Sequence, residues 1–199
     1  MVQLLENPKN IPIRKVPNYL IAEVIDGKPY YYKGYKQVLT KKKTLDDIMG
    51  ASTLQGFIVT YLTRLLMALS EDAYHLFLNE TGIHIDTNNN LSGDILIFDA
   101  SKPLLIDAHY ANQPPLVNIE IDVNIVLEQE DEKDYIFKKT QKLLDFGVEK
   151  VIWVLTKSQK VIVATPSDNW LIISWDKDIE ILRGITFNIA AYLKKRGVL

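Results

Sequence analysis

Two β-prone runs, LIAEVI and KPYYY, flank Asp26 and Gly27 near the start of the chain. Both central residues tolerate positive φ, so the pattern predicts a hairpin. Ahead of it, Pro8, Pro12 and Pro17 mark residues 1–19 as an extended arm. Lys41, Lys42 and Lys43 fall in a loop, and Thr44 with Asp47 three positions on reads as the start of a short helix. Ser52 or Thr53 caps a long apolar helix that ends near Ser70. A short strand is expected at 83–86, then a turn at Asn88, Asn89 and Asn90. GDILIFDA, 93–100, has the nearly continuous apolar centre of a buried strand. Residues 101–115 read as loop. In the strand over 115–127, Asn118, Glu120, Asp122 and Asn124 share one parity and hence one face.

A helix follows over 132–146, with Gly147 at its C-terminal cap. VEKVIWVLT, KVIVATP and NWLIISW read as three strands, and 185–195 as a closing helix. Hairpin, helix, strands, helix and strands in that order predict an α/β or α+β fold, a mixed central sheet flanked by helices. The 199 residues suit a single domain over 1–199.

Composition narrows the function. There is no cysteine, which excludes disulfides and thiolate metal sites and fits a reducing cytoplasm. The amino terminus lacks the pattern of a signal peptide. The longest apolar stretch, 54–69, carries Arg64 and is shorter than the roughly 20 residues of a membrane span, so no membrane partner is expected. The net charge of −2 speaks against a module that only holds nucleic acid. It speaks less against a nuclease, whose centre must be acidic to hold metal.

The informative constellation is Asp94 opening one strand, Glu120 inside another, and a lysine-bearing helix after it. Two carboxylates bind a hard cation such as Mg²⁺ or Mn²⁺ together with water and phosphate oxygens. A lysine beside them orients water and offsets charge on phosphate. Glu120 stands within an apolar run, where an unpaired carboxylate is costly. The plain alternative is the solvated polar face of an antiparallel strand. On the helical wheel Ile136, Phe137, Thr140, Leu143, Leu144 and Phe146 share a face, and Lys139 lies at its edge. It either reaches inward or lies along the surface on its long stem.

The order of segments resembles the Uma-type restriction endonuclease family of bacteria, a branch of the PD-(D/E)XK nuclease superfamily. AEVIDGKPY resembles that family's opening hairpin, GDILIF its first acidic strand, LVNIEIDV its second, and FKKTQKLLDFGVEKVIWVLT its lysine-bearing helix and following strand. The resemblance implies a restriction-endonuclease-like core with an N-terminal β-hairpin. It implies Mg²⁺-dependent cleavage of DNA, with Asp94, Glu120 and Lys139 as the catalytic group. It also implies a homodimer, to which the tyrosines Tyr30, Tyr31, Tyr32 and Tyr35 add a plausible contact surface.

Departures from the family pattern are specific. Gly93 replaces the proline before the acid, and Leu143 replaces a tyrosine. Asp122 stands where the superfamily has lysine, either as a further metal ligand or as a source of repulsion. Gln55 stands near the place of a histidine. Glu23 matches the hairpin glutamate, as an accessory site residue or a salt-bridged strand residue. His75, His84 and His109 have no ligand spacing. The acidic run around 128–134 suits a helix N-terminus. These features keep a second expectation open, a catalytically inactive nuclease fold serving as an interaction module.

Overall fold

The computed structural model describes residues 16–123, 125–127 and 131–199. The expected arm therefore lies mostly outside the described residues, apart from a 3-10 turn at Asn18–Leu20. Strands β1 (Ile21–Ile25) and β2 (Lys28–Tyr32) form the expected antiparallel hairpin. Asp26 and Gly27 turn it with φ of 53° and 72°. A short helix does follow, but earlier than expected, as α1 (Tyr35–Leu39). Thr44 and Asp47 bond each other reciprocally without starting a helix. Their local bonds close a turn of their own instead.

Ser52 caps α2 (Thr53–Leu66) by accepting from the Gln55 backbone N–H at 3.1 Å. β3 (Tyr74–Asp86) and β4 (Asn89–Asp99) form a long antiparallel pair. Only the end of β3 was expected. Asn79, Glu80 and Thr81 interrupt its alternation because the strand bulges there, with φ of 67° at Asn79 and 54° at Glu80. β5 (Val117–Ile121) ends sooner than the sequence suggests. Asp122 has a φ of 62°, which breaks the run before β6 (Ile125–Val126). The shared face of Asn118, Glu120, Asp122 and Asn124 is thereby corrected: alternation stops at Ile121, and Asn124 lies outside the described residues.

α3 (Glu132–Phe146) matches its expected bounds, capped by Asp131 and by Gly147 at a φ of 114°. β7 (Lys150–Leu155), β8 (Lys160–Ala164) and β9 (Leu171–Ser174) follow as expected. The closing helix is shorter than expected. A hairpin of β10 (Ile179–Leu182) and β11 (Ile185–Phe187) precedes α4 (Ile189–Lys195), whose cap is Asn188.

The main sheet has nine strands in the order β6-β2-β1-β4-β5-β7-β8-β9, with β3 also on β4. β5 and β7 are parallel and the other pairs antiparallel. A strand has two edges, and β3 takes one edge of β4 along its whole length. β1, through Val24 opposite Asn90, and β5, through Ile95 to Ile97, must share the other. The sheet therefore forks along β4 between residues 91 and 94. Two apolar layers cover it. Ile58, Leu62 and Leu66 of α2 and Ile189 and Leu193 of α4 pack on one face. Ile136, Leu143 and Leu144 of α3 pack on the other.

Candidate active site

The fork gathers the charged residues expected from the sequence. Ile95 and Ile97 join the α2 layer, while Leu91, Leu96 and Phe98 join the α3 layer. The alternation of β4 therefore slips by one between Leu91 and Ile95, opposite the β3 bulge. Bulges re-aim side chains in this way. Asp94 sits in that slip. Its Oδ2 accepts from the Ile121 backbone N–H at 2.7 Å, and Gln55 hydrogen-bonds its carboxyl from α2. Gly93 leaves room beside it, because a Cβ there would press on the Asn118 and Leu96 side chains.

Glu120 lies on β5 one step beyond the Ile119–Ile95 pair and points into the α3 layer. Lys139 lies inside that layer rather than at its edge, only 2% exposed. Its Nζ stands 2.9 Å from Glu120 Oε1 and 2.6 Å from Glu23 Oε1, and 5.4 Å from the centre of the Trp153 ring. Glu23 is thus a salt-bridged strand residue within the site itself. Its Oε1 also accepts from the Ser92 backbone N–H and hydroxyl, each at 3.0 Å, and its Oε2 accepts from Tyr135 Oη at 2.6 Å. The Ser92 contact satisfies a β4 amide at the fork.

Asp122 behaves differently. Its carboxylate accepts from the Thr156 backbone N–H and hydroxyl, both at 2.7 Å, and so ties the end of β5 to the end of β7. It lines the same small cavity of about 50 Å³ with Glu23, Glu80, Asp94, Glu120 and Lys139. Among the described residues, no group of three or more His, Cys, Asp or Glu side chains is gathered to hold a metal ion by itself. His84 bonds Asn90 and His109 bonds Asp107, away from this cavity.

Electrostatics follow from burial. Desolvation raises the Asp94 carboxyl above its ordinary value, although the Ile121 N–H and Lys139 oppose it. Burial also pushes Glu120 up, to about 8, and the neighbouring Asp94 and Glu23 add to it against the pull of Lys139. Burial alone would lower Lys139, but the two carboxylates outweigh it and hold the ammonium charged. Five carboxylates line the cavity with one lysine between them. Asp94 and Glu120 are the hard oxygen donors there that could hold a divalent cation.

A solved structure from Anabaena variabilis ATCC 29413, described as a "putative nuclease belonging to DUF820", is similar to this chain. The likeness covers 86% of this chain and 89% of that one, with a TM-score of 0.60 and 17% identity. It carries the fold: a large mixed sheet flanked by helices, as expected from the sequence. No protein-family model matches the chain, and no curated protein matches it. Among the described residues no helix is long and apolar enough to cross a membrane.

Sequence reasoning missed Ser92, Tyr135 and Glu80 as neighbours of the site. Tyr135 was legible in principle, one helical turn before Lys139 on the same face. Ser92 and Glu80 were not, because the slip in β4 and the bulge in β3 carry no pattern of their own.

Proposed function

We propose that this protein is a metal-dependent nuclease that hydrolyses phosphodiester bonds in DNA, of the Uma-type restriction endonuclease kind. The observation that carries this reading is the buried Lys139 ammonium, held against Glu120 beside Asp94 at the fork of the sheet. Asp94 and Glu120 would hold Mg²⁺ or Mn²⁺. When bound, such an ion makes water more acidic and offsets charge on phosphate. The rest of the chemistry belongs to the chain. The Ile121 N–H and Gln55 fix the direction of the Asp94 carboxyl. Asn118 fixes Glu120 by donating to Oε1 at 2.8 Å. Lys139 stays protonated, so it orients the attacking water and offsets charge on the phosphate oxygens rather than removing a proton. Glu23 holds the ammonium directly and Tyr135 fixes Glu23 in turn, so both are positioning residues.

Substitution Asp94→Asn keeps the shape of the side chain and removes its charge. Plasmid nicking in Mg²⁺ or Mn²⁺ should fall by about 10²–10³-fold, with an unchanged circular dichroism spectrum, on the scale of losing one electrostatic catalytic group. Cleavage that survives in this variant sinks the assignment. A homodimer belongs to the same reading, and a monomeric mass in light scattering argues against it.

A second reading has its own support. Glu23 is saturated by Lys139, Tyr135 and Ser92, and both Asp122 oxygens are taken by Thr156. The site is closed upon itself, as in a nuclease fold kept as an interaction module without catalysis. Calorimetric titration separates the two. Mg²⁺ or Mn²⁺ binding that vanishes in Glu120→Ala supports the nuclease, and no binding to the unaltered protein supports the module.

A further inference from the structure

One surface feature is not absorbed by the catalytic group. Residues 28–43 read KPYYYKGYKQVLTKKK, with six lysines, four tyrosines and no acid, in a chain whose net charge is −2; Tyr30 and Tyr35 are buried, which leaves Tyr31 and Tyr32 half-buried at the surface. Positive charge is concentrated here against the balance of the whole. Interleaved lysines and aromatics are the pattern of surfaces that follow a nucleic-acid backbone and stack its bases.

The fold turns this run into a cleft. β2, α1 and the loop after it line a cleft of about 560 Å³, with Lys33, Lys36, Lys43 and Met49 among its walls. Gly34 sets the spacing. It has a φ of 98°, and a Cβ there would meet the Ile48 side chain at 2.8 Å, so the loop closes down on the glycine. The Lys42 and Lys43 backbone N–H groups both donate to the Gln37 carbonyl, at 2.8 and 3.2 Å, which fixes the loop against α1. Asp47 is one of two acids lining the cleft, and it is engaged by the Thr44 N–H and hydroxyl at 2.7 and 2.9 Å. The other, Glu80, stands with Tyr32 on the wall shared with the carboxylate cavity. The cleft and the cavity are neighbours, divided by those two side chains.

We infer that this cleft holds an unpaired stretch of nucleic-acid strand next to the phosphate that is cut, with Lys33, Lys36 and Lys43 on its phosphates and Tyr32 beside its bases. The inference rests on the nuclease reading for the word "cut", but binding in the cleft stands apart from it. Size favours an unpaired strand. A space of this volume is on the scale of a small-ligand pocket, roughly 300–1,000 Å³. A duplex needs a far wider channel, since its major groove alone is about 12 Å across.

The test measures binding of a labelled oligothymidine, and of the same strand paired with oligoadenosine, by fluorescence anisotropy. The chain carries Asp94→Asn and the buffer carries EDTA, so nothing is cleaved. Changing Lys33, Lys36 and Lys43 together to alanine should weaken single-strand binding at least about tenfold. It should also reduce the slope of log affinity against log salt by about 2, at roughly 0.7 per phosphate contact. The control changes Lys157, Lys160 and Lys177 to alanine, three exposed lysines outside the cleft. Equal weakening in the control, or equal loss of duplex binding in the cleft variant, overturns the inference. Strand binding through the cleft in a protein that never nicks DNA supports the cleft and removes the nuclease reading, so the two fail separately.

Discussion

The two layers over the sheet are built on different terms. The α2 and α4 face is close to a pure hydrocarbon layer of Ile58, Leu62, Leu66, Val117, Ile119, Ile152 and their neighbours. The α3 face carries an equally buried apolar patch, but Glu23, Asn118, Glu120, Lys139 and Thr140 are buried within it. Trp153 shows the compromise: its ring packs in the layer, while its Nε1 donates to Thr140 Oγ1 at 2.8 Å. One face holds the sheet together by removing apolar surface from water. The other gives up part of that gain to keep ions in a dry place, where their fields are strongest.

The largest test of this contrast is Lys139→Met. It keeps the stem and removes the charge, leaving Glu23 and Glu120 buried without their cation. Breaking a buried pair from one side costs about 3–5 kcal/mol, and denaturant unfolding of the metal-free variant should show a loss of that order. An unchanged midpoint would mean the α3 face is not an ionic core. On the opposite face, Leu62→Ala should cost about 2–5 kcal/mol, near the lower end if the layer collapses around the gap. Its metal affinity should stay as it was. A change in both would couple the two layers and erase the contrast.

The effect of pH is the smallest at each step, because it is spread over a wide window. Glu23 from β1, Glu80 from β3, Asp94 from β4, and Tyr135 and Lys139 from α3 all act on Glu120 or its neighbours. The folded protein holds a proton on Glu120 up to about 8, while the unfolded chain releases it near 4.5. Between those values the native state binds more protons. Metal-free stability should therefore fall as pH rises across that window, by at most about 1.4 kcal/mol per pH unit for this group. Asp94, also raised, acts with the same sign. Lys139 is charged in both states throughout this range and adds no slope. Glu120→Gln should flatten the profile, and a flat profile in the unaltered protein would show that the α3 face carries no such proton.

Where local chemistry decides the backbone, the sequence was sufficient. Asp26-Gly27, Ser52, Asp131 and Gly147 each sit where their conformational or capping preferences require, and the elements they bound follow. Where distant segments decide it, the sequence was silent. β3 looked like a fragment because its bulge breaks the alternation, and Asp122 looked like a partner of Glu120 because strand parity was carried through a residue of positive φ. In the site, the order of segments points to Asp94, Glu120 and Lys139. Their meeting with Glu23 and Ser92 depends on the fork, which no local pattern encodes. The helical wheel puts Lys139 at the edge of its face, but the depth of the α3 layer buries it.

The fork also has a consequence in time. Glu23 and Lys139 meet across 116 positions, and Ser92 reaches Glu23 across 69. Contacts that close such long loops are reached slowly compared with hairpins and helices. During synthesis, at about 5–20 residues per second, the hairpin and the β3–β4 pair can form while α3 is still being made. The ionic centre waits for α3. A growing chain carries its hairpin and the β3–β4 pair before it carries the lysine that completes the site.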